Sequence, residues 1–338
     1  FLNSELERVL RETIVQKDLS DPQLEILKLA ERLTNLVDKA EDAKPAHISA
    51  DIEDTLEMIA QRMERVKSGQ SMVGIPTGNV RLDAATGGFE LGDLVVLAGR
   101  PGMGKTTEAL NFAMSAAREG FTVDVYSLEM SRQKLLTKMA TQMQKLSLFE
   151  VTRGRLSDED YQKIVGAMDV LRDYPVFAHD NKFRWVDIKS SARRINALYD
   201  TKMIVVDYLQ LITGESRSQR NREQEISKIS REMKQLAQEL DCVVVNLSQL
   251  NRKVEERSDK KPRISDLRES GSIEQDADII MFPFRPSYYW DATSDMYTHE
   301  GTEFMIEKFR MGDTTIVYPE GYAPSMHSQI GNKNQFDW

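Results

Sequence analysis

The sequence predicts an α/β fold: a mostly parallel central sheet covered by helices on both faces, preceded by a small helical segment and a linker helix. Three observations carry this. From residue 71 to about 320, short apolar runs rich in β-branched residues alternate with longer stretches of helical periodicity, the rhythm of strand–helix–strand crossovers. One run, Asp93-Leu-Val-Val-Leu-Ala98, reads as a buried parallel strand and leads into Gly99-Arg100-Pro101-Gly102-Met103-Gly104-Lys105-Thr106, a match to G-x-x-x-x-G-K-[ST]. A helical stretch, Thr107-Glu-Ala-Leu-Asn-Phe-Ala-Met-Ser-Ala-Ala117, follows and is closed by Gly120.

Strand, glycine-rich loop and helix N-terminus together aim backbone N–H groups at a polyphosphate. The bare pattern arises by chance in roughly one chain in a hundred of this length, and its flanking strand and helix make it rarer still. Gly99 through Thr107 are therefore the expected contacts of a nucleoside triphosphate and its Mg²⁺. Lys105 reaches the β- and γ-phosphates and the Thr106 hydroxyl ligands the Mg²⁺.

Composition narrows the class. The 338 residues are 40% hydrophobic and 29% charged, enough for one large α/β domain and a smaller element. No apolar run approaches the roughly 18 residues of a membrane span, so no membrane partner is expected. The opening Phe1-Leu-Asn-Ser-Glu lacks the basic and apolar regions of a signal peptide and reads as the start of a fragment. The single cysteine, Cys242, lies in an apolar run and reads as a buried strand residue in a reducing, cytoplasmic setting. A net charge of −9 argues against a surface that coats itself with nucleic acid. The balance is uneven, however. Arg217, Arg220 and Arg222 cluster, and residues 252–263 carry six basic against three acidic side chains.

Taken in order, residues 1–44 read as two short helices. Leu2, Leu6, Val9 and Leu10 recur at helical spacing, and Asp21-Pro22 starts the second helix. Residues 1–46 are expected to end a helical N-terminal domain. A linker helix is expected within 47–70, at about 50–67, with Asp51, Glu53 and Asp54 at its start and Arg62, Arg65 and Lys67 at its end, an order that suits the helix dipole. Its apolar residues Ile52, Leu56, Ile59, Met63 and Val66 step by 4, 3, 4 and 3. That is one narrow stripe, which packs either on its own domain or on a neighbouring copy. Residues 71–320 form the main domain, with strands expected at 93–98, 122–127, 176–178, 203–206, 242–246 and 278–282. Helices are expected at about 131–146, 157–173, 185–199 and 223–240, and a hairpin edge at about 302–308 and 314–318. Residues 321–338 are a polar tail.

Further polar residues fall at strand ends. Asp207 closes Met203-Ile-Val-Val-Asp207, where a carboxylate holds Mg²⁺ in proteins with such a loop or else caps a turn. Tyr208, not a second acid, follows it. A base must then come from elsewhere, and Glu129 in Ser127-Leu-Glu-Met-Ser131 is the candidate, the alternative being a first-turn acid of the next helix. Gln249 ends the next strand, where its amide can bond the γ-phosphate and sense its loss. Lys308 and Arg310 alternate along Glu307-Lys-Phe-Arg310 and share a face, either as cationic fingers toward a neighbour's nucleotide or as solvated edge charges.

These motifs, with Gly74-Ile-Pro-Thr-Gly78, Val206-Asp-Tyr-Leu-Gln210, Glu225-Ile-Ser-Lys-Ile-Ser-Arg231, Leu247-Ser-Gln-Leu-Asn-Arg252 and the long Arg263-Ile-Ser-Asp-Leu-Arg-Glu-Ser-Gly-Ser-Ile-Glu-Gln-Asp-Ala-Asp278, resemble the RecA-like motor domain of the DnaB-type replicative helicases over about 47–312. The resemblance implies a RecA-like P-loop NTPase forming a homo-hexameric ring. ATP then lies between subunits, single-stranded DNA in the channel, and a primase and a helicase loader are partners. It also implies Lys105 and Thr106 as phosphate and metal contacts, Asp207 as the Mg²⁺ carboxylate, Glu129 as catalytic base and Gln249 as sensor. Lys308 and Arg310 would act in trans, and Arg268, Glu269 and Gly271 would line the DNA channel. One departure stands out: Lys308-Phe-Arg-Met-Gly312 replaces the family's common Lys-Gln-Arg-Asn-Gly, keeping both cations but changing their neighbours. Two rival classes are a recombination ATPase forming filaments on DNA and an ATP-driven switch or kinase ring that binds no DNA.

Overall fold

The computed structural model describes residues 47–67, 73–181, 184–212, 222–267, 271–289 and 301–318. The two helices expected before residue 45, the polar tail, Arg217, Arg220, Arg268 and Glu269 lie outside the described residues. Contacts divide the chain into two units, Phe1–Gln70 with Val186–Ser191 and Ser71–Trp185 with Ala192–Trp338.

In the first unit, α1 (Ile52–Lys67) follows a short 3₁₀ turn whose entry is capped by His47, its ring nitrogen accepting from the Ser49 N–H. Glu53 and Asp54 sit in its first turn, where negative charge meets the free N–H groups. The apolar stripe forms as its spacing requires, and Ile52, Leu56, Ile59 and Met63 are 50, 60, 45 and 56% exposed.

The second unit is built on one eight-stranded sheet of order β3-β2-β4-β5-β1-β6-β7-β8. Its strands are β1 (Leu94–Gly99), β2 (Thr122–Ser127), β3 (Val176–His179), β4 (Thr201–Asp207), β5 (Val243–Gln249), β6 (Ile279–Phe284), β7 (Glu303–Phe309) and β8 (Thr315–Val317). All pairings among β1–β6 are parallel, and β7 and β8 add an antiparallel edge. Every expected strand is present, with ends that coincide or shift by at most three residues. β1 lies at the heart of the sheet and every one of its residues is buried. Each fully buried Val or Leu there contributes about 1.5–3 kcal/mol.

The helices of this unit include α2 (Val80–Thr86), α3 (Lys105–Arg118), α4 (Arg132–Met143), α5 (Leu148–Thr152), α6 (Asp158–Arg172), the part of α7 (Trp185–Tyr199) outside Val186–Ser191, α8 (Arg222–Glu239) and α9 (Gly271–Asp276). The helix expected to run to 146 stops at Met143 because Lys145 takes a left-handed φ of 55°, and Ser147 then caps α5 through its hydroxyl. The short α2, α5 and α9 have too few turns to show a period in the sequence. Local chemistry makes α2 all the same, since Asn79 accepts from the Arg81 and Leu82 N–H groups and Gly87 closes the C-terminus. Phe89 meets Phe112 edge-on at 5.3 Å, and Phe112 meets Phe304 at 6.3 Å. This aromatic chain ties α3 to the antiparallel edge.

Candidate nucleotide site

The loop after β1 turns through Gly102 and Gly104, whose φ values of 85° and 92° are left-handed. A Cβ at Gly102 would also come within 2.8 Å of the Tyr288 ring. Only glycine meets both demands without strain. Gly104 is the N-cap of α3 and supplies no side-chain cap, so the first-turn N–H groups of α3 are left for a ligand.

Lys105 folds back over the loop, its Nζ donating to the carbonyls of Gly99 at 2.8 Å and Arg100 at 3.2 Å. Burial lowers its pKa to about 8, against the pull of Asp207 and Glu129. The ammonium therefore rests on weak backbone acceptors in a partly desolvated place, and phosphate oxygens would be better partners. Next to it, the Thr106 hydroxyl donates to Asp207 Oδ2 at 2.8 Å. Burial also pushes the Asp207 carboxyl up, an effect that the Thr106 hydrogen bond opposes.

The remaining strand-end residues converge by sheet order. Ser127 and Asp207 are register partners at the ends of β2 and β4, and the Leu128 N–H donates to the Asp207 carbonyl at 2.8 Å. The Ser127 hydroxyl donates to the Met130 carbonyl and accepts the Met130 N–H, at 2.8 and 3.1 Å, which pins the turn that carries Glu129. Gln249 ends β5 opposite Gly99 of β1. Its N–H donates to Gln210 Oε1 at 3.2 Å, and Gln210 Nε2 donates to the Ser248 hydroxyl at 2.9 Å. The loop, Glu129, Asp207 and Gln249 thus share the carboxyl ends of four adjacent parallel strands, where open α/β sheets bind ligands.

Other expected residues contribute differently. The Arg100 side chain is buried away from the loop's mouth, donating to the Leu250 carbonyl at 3.0 Å and pairing with Glu255 at 3.1 Å, and Met103 is buried in the core. Arg100 and Met103 therefore offer the site their backbone. Gly271 opens α9.

Lys308 and Arg310 share a face as expected, but at the other end of the sheet. Phe309 registers with Ile279, and Ile279 with Val95, at the start of β1. Lys308 Nζ donates to the carbonyls of Glu274 and Gln275, and Arg310 Nη2 to that of Gln275 at 3.3 Å. From Val95 to Gly99 the strand climbs about 13 Å, so the two cations stand well away from their own chain's loop.

Three residues to which the sequence reading gave no role also belong here. Gln210 braces the β5 end as described. Lys138 on α4 feels Asp207, Glu129 and Glu108 while burial lowers its pKa. One turn on, Gln142 Nε2 donates to the Thr107 carbonyl at 3.0 Å and to Asn111 at 2.7 Å, so this α4 face meets the P-loop helix. A Lys–Gln pair at i, i+4 was the available signal.

An uncapped helix start, a half-buried lysine and a strand-end carboxylate gathered on one loop suit a nucleoside polyphosphate and its cation. A hydroxyl and a carboxylate are hard oxygen donors that fit Mg²⁺, with phosphate and water completing the shell. Among the described residues no group of three or more His, Cys, Asp or Glu could hold a metal by itself. Fold and site together define a P-loop nucleotide-binding domain of the RecA type.

Comparison with known proteins narrows the class further: the family described as DnaB-like helicase C terminal domain matches residues 74–320, and the chain belongs to it. The replicative DNA helicase DnaB of Geobacillus stearothermophilus is 42% identical over 266 residues, 78% of this chain and 57% of that protein. The replicative DNA helicase DnaC of Bacillus subtilis (strain 168) is 38% identical over 310 residues, 91% of this chain and 65% of that protein. The solved structure of a DnaB-like replicative helicase, described with its interactions with primase, matches with a TM-score of 0.75 at 28% identity, covering 93% of this chain and 72% of that one. The chain thus spans 57% and 65% of the lengths of these two helicases. No helix among the described residues is long and apolar enough to cross a membrane.

Proposed function

We propose that this chain is the motor part of a hexameric ring helicase, hydrolysing ATP between subunits to move along single-stranded DNA and unwind duplex. One observation carries the reading. The P-loop, Glu129, Asp207 and Gln249 stand at one end of the sheet, while Lys308 and Arg310 stand at the other, a separation that supports the reading that the two cations serve a neighbour's nucleotide. A site divided in this way is complete only when copies assemble head to tail, as a ring where the rotation between copies closes and as a filament where it does not.

In such a site Lys105 and the first-turn N–H groups of α3 hold the β- and γ-phosphates. Thr106 and Asp207 would hold Mg²⁺, which when bound neutralises charge on the phosphate oxygens. Glu129 takes the proton of the attacking water, and Gln249 reads the presence of the γ-phosphate. Arg310 and Lys308 of the adjacent copy stabilise the transition-state charge. Arg268, Glu269 and Gly271 would be the DNA contacts. A ring repeats each contact six times, so an acidic chain needs few phosphate contacts per subunit, and backbone N–H groups add binding without charge.

The domain scheme that goes with this function has residues 1–46 ending an N-terminal helical domain, 47–70 docking on a neighbour, 71–320 as motor and 321–338 as tail. A primase and a helicase loader would be partners in the cytoplasm. The test is strand displacement on a forked duplex together with ATP hydrolysis with and without single-stranded DNA. DNA-stimulated hydrolysis with displacement supports the proposal, and ATPase activity indifferent to DNA overturns it. Electron micrographs showing filaments on DNA in place of rings would favour a recombination ATPase.

A further inference from the structure

Asp278 lies at the foot of β6 and takes no part in the nucleotide contacts above, yet it is buried and fully engaged. Its Oδ2 accepts the Leu94 N–H at 2.8 Å and Lys234 Nζ at 2.6 Å. Its Oδ1 pairs with Arg310 Nη1 at 2.9 Å. The main chain adds to this, the Asp278 N–H donating to the Leu94 carbonyl and the Arg310 N–H to the Asp278 carbonyl, each at 2.9 Å. Lys234 in turn donates to the Gly92 carbonyl at 2.8 Å. The carboxylate is thus locked to the start of β1 and to α8 before it touches Arg310.

We propose that Asp278 is the positioning residue for Arg310, gripping one edge of its guanidinium so that the rest is presented, already oriented, to a neighbouring subunit's nucleotide. The inference rests on the trans reading of Arg310 given above. An arginine carries five N–H donors in a rigid plane. The Asp278 carboxylate forms an ion pair at Nη1 and the Gln275 carbonyl accepts from Nη2, which leaves most of these donors uncommitted. The Arg310 side chain is 50% exposed while that of Asp278 is 6% exposed, so the grip is inside and the free edge outside.

The Asp278 carboxylate is shared by two cations, Lys234 and Arg310, so its place is fixed by contacts other than Arg310. An arginine held this way before assembly also loses less side-chain freedom when it meets phosphate than one waving in solvent.

The test uses mixed rings of the full chain. Asp278→Asn keeps the shape of the side chain and removes its charge. Alone, it should lower DNA-stimulated ATPase by about a hundredfold, the scale of a catalytic group misplaced by about 1 Å, while leaving affinity for a fluorescent ATP analogue unchanged. Mixed with Lys105→Ala subunits, it should regain hydrolysis, because a sound P-loop on the Asp278→Asn copy then meets a well-held Arg310 on the other. Arg310→Ala mixed in the same way is the control. If Arg310→Ala is rescued and Asp278→Asn is not, Asp278 acts within its own subunit and this inference fails. If Arg310→Ala is not rescued either, the trans reading itself fails. Should Asp278→Asn fold poorly because the half-buried Lys234 loses its ion pair, Asp278→Asn with Lys234→Met removes both charges and must give the same rescue. Wild-type hydrolysis by a folded variant of either kind overturns the proposal.

Discussion

The stripe on α1 offers the most quantitative prediction. Fully burying a Leu, Ile or Met side chain is worth about 1.5–3 kcal/mol. Ile52, Leu56, Ile59 and Met63 each leave roughly half of their surface exposed, 45–60%, so covering them on a neighbour would contribute about 1 kcal/mol apiece, about 4 kcal/mol per interface. Replacing Leu56 and Ile59 with Asp forfeits about half of that and forces two carboxylates toward apolar surface, at several kcal/mol each. The interface should weaken by well over about 4 kcal/mol, a factor of roughly a thousand or more. The cost to the subunit is small, because both positions are exposed and Asp in a helix costs at most about 0.7 kcal/mol relative to Ala. The motor unit, with its buried β1 and aromatic chain, should melt unchanged. Light scattering at micromolar concentration should therefore show rings replaced by monomers with a cooperative melt preserved. Intact rings with the same melt would refute the argument.

Four further outcomes are expected. Glu129→Gln should bind ATP normally and lose hydrolysis by about 10²–10⁴-fold, measured by nucleotide titration against phosphate release; turnover at the wild-type rate would place the base elsewhere. Lys105→Ala should abolish hydrolysis, and near-normal turnover would sink the site. Arg268→Ala should keep basal ATPase, lose stimulation by single-stranded DNA and reduce the salt slope of binding by about one, read by fluorescence anisotropy at several salt concentrations. The last outcome concerns pH. Burial and the nearby Asp278 push the Asp93 carboxyl from 3.8 to about 6. Between those values the folded state keeps a proton that the unfolded chain has lost, so this contribution to stability falls as pH rises through the window. Asp93→Asn should flatten that part of a melting-temperature profile, and an unchanged slope would refute the assignment.

The legible part of this protein is its local chemistry. Apolar runs such as Leu94–Gly99 make buried strands whatever lies beyond them, and the glycines before Lys105 permit a left-handed turn by their own lack of a Cβ. Asp207, Glu129 and Gln249 are readable because each ends or closely follows a strand, so its place along the sheet comes with the strand. The stop at Met143 is less so, since it depends on the backbone that Lys145 adopts rather than on a glycine or proline. What only the tertiary structure decides are the relations across distance. It turns the Arg100 side chain away to Glu255, 155 residues on. It sets Lys308 and Arg310 at the sheet end opposite their own loop, because β7 runs antiparallel to β6. It also joins Leu94 to Asp278 across 184 residues. Strand order and register arise from packing many buried faces at once, and that sum has no trace in any short window of the chain.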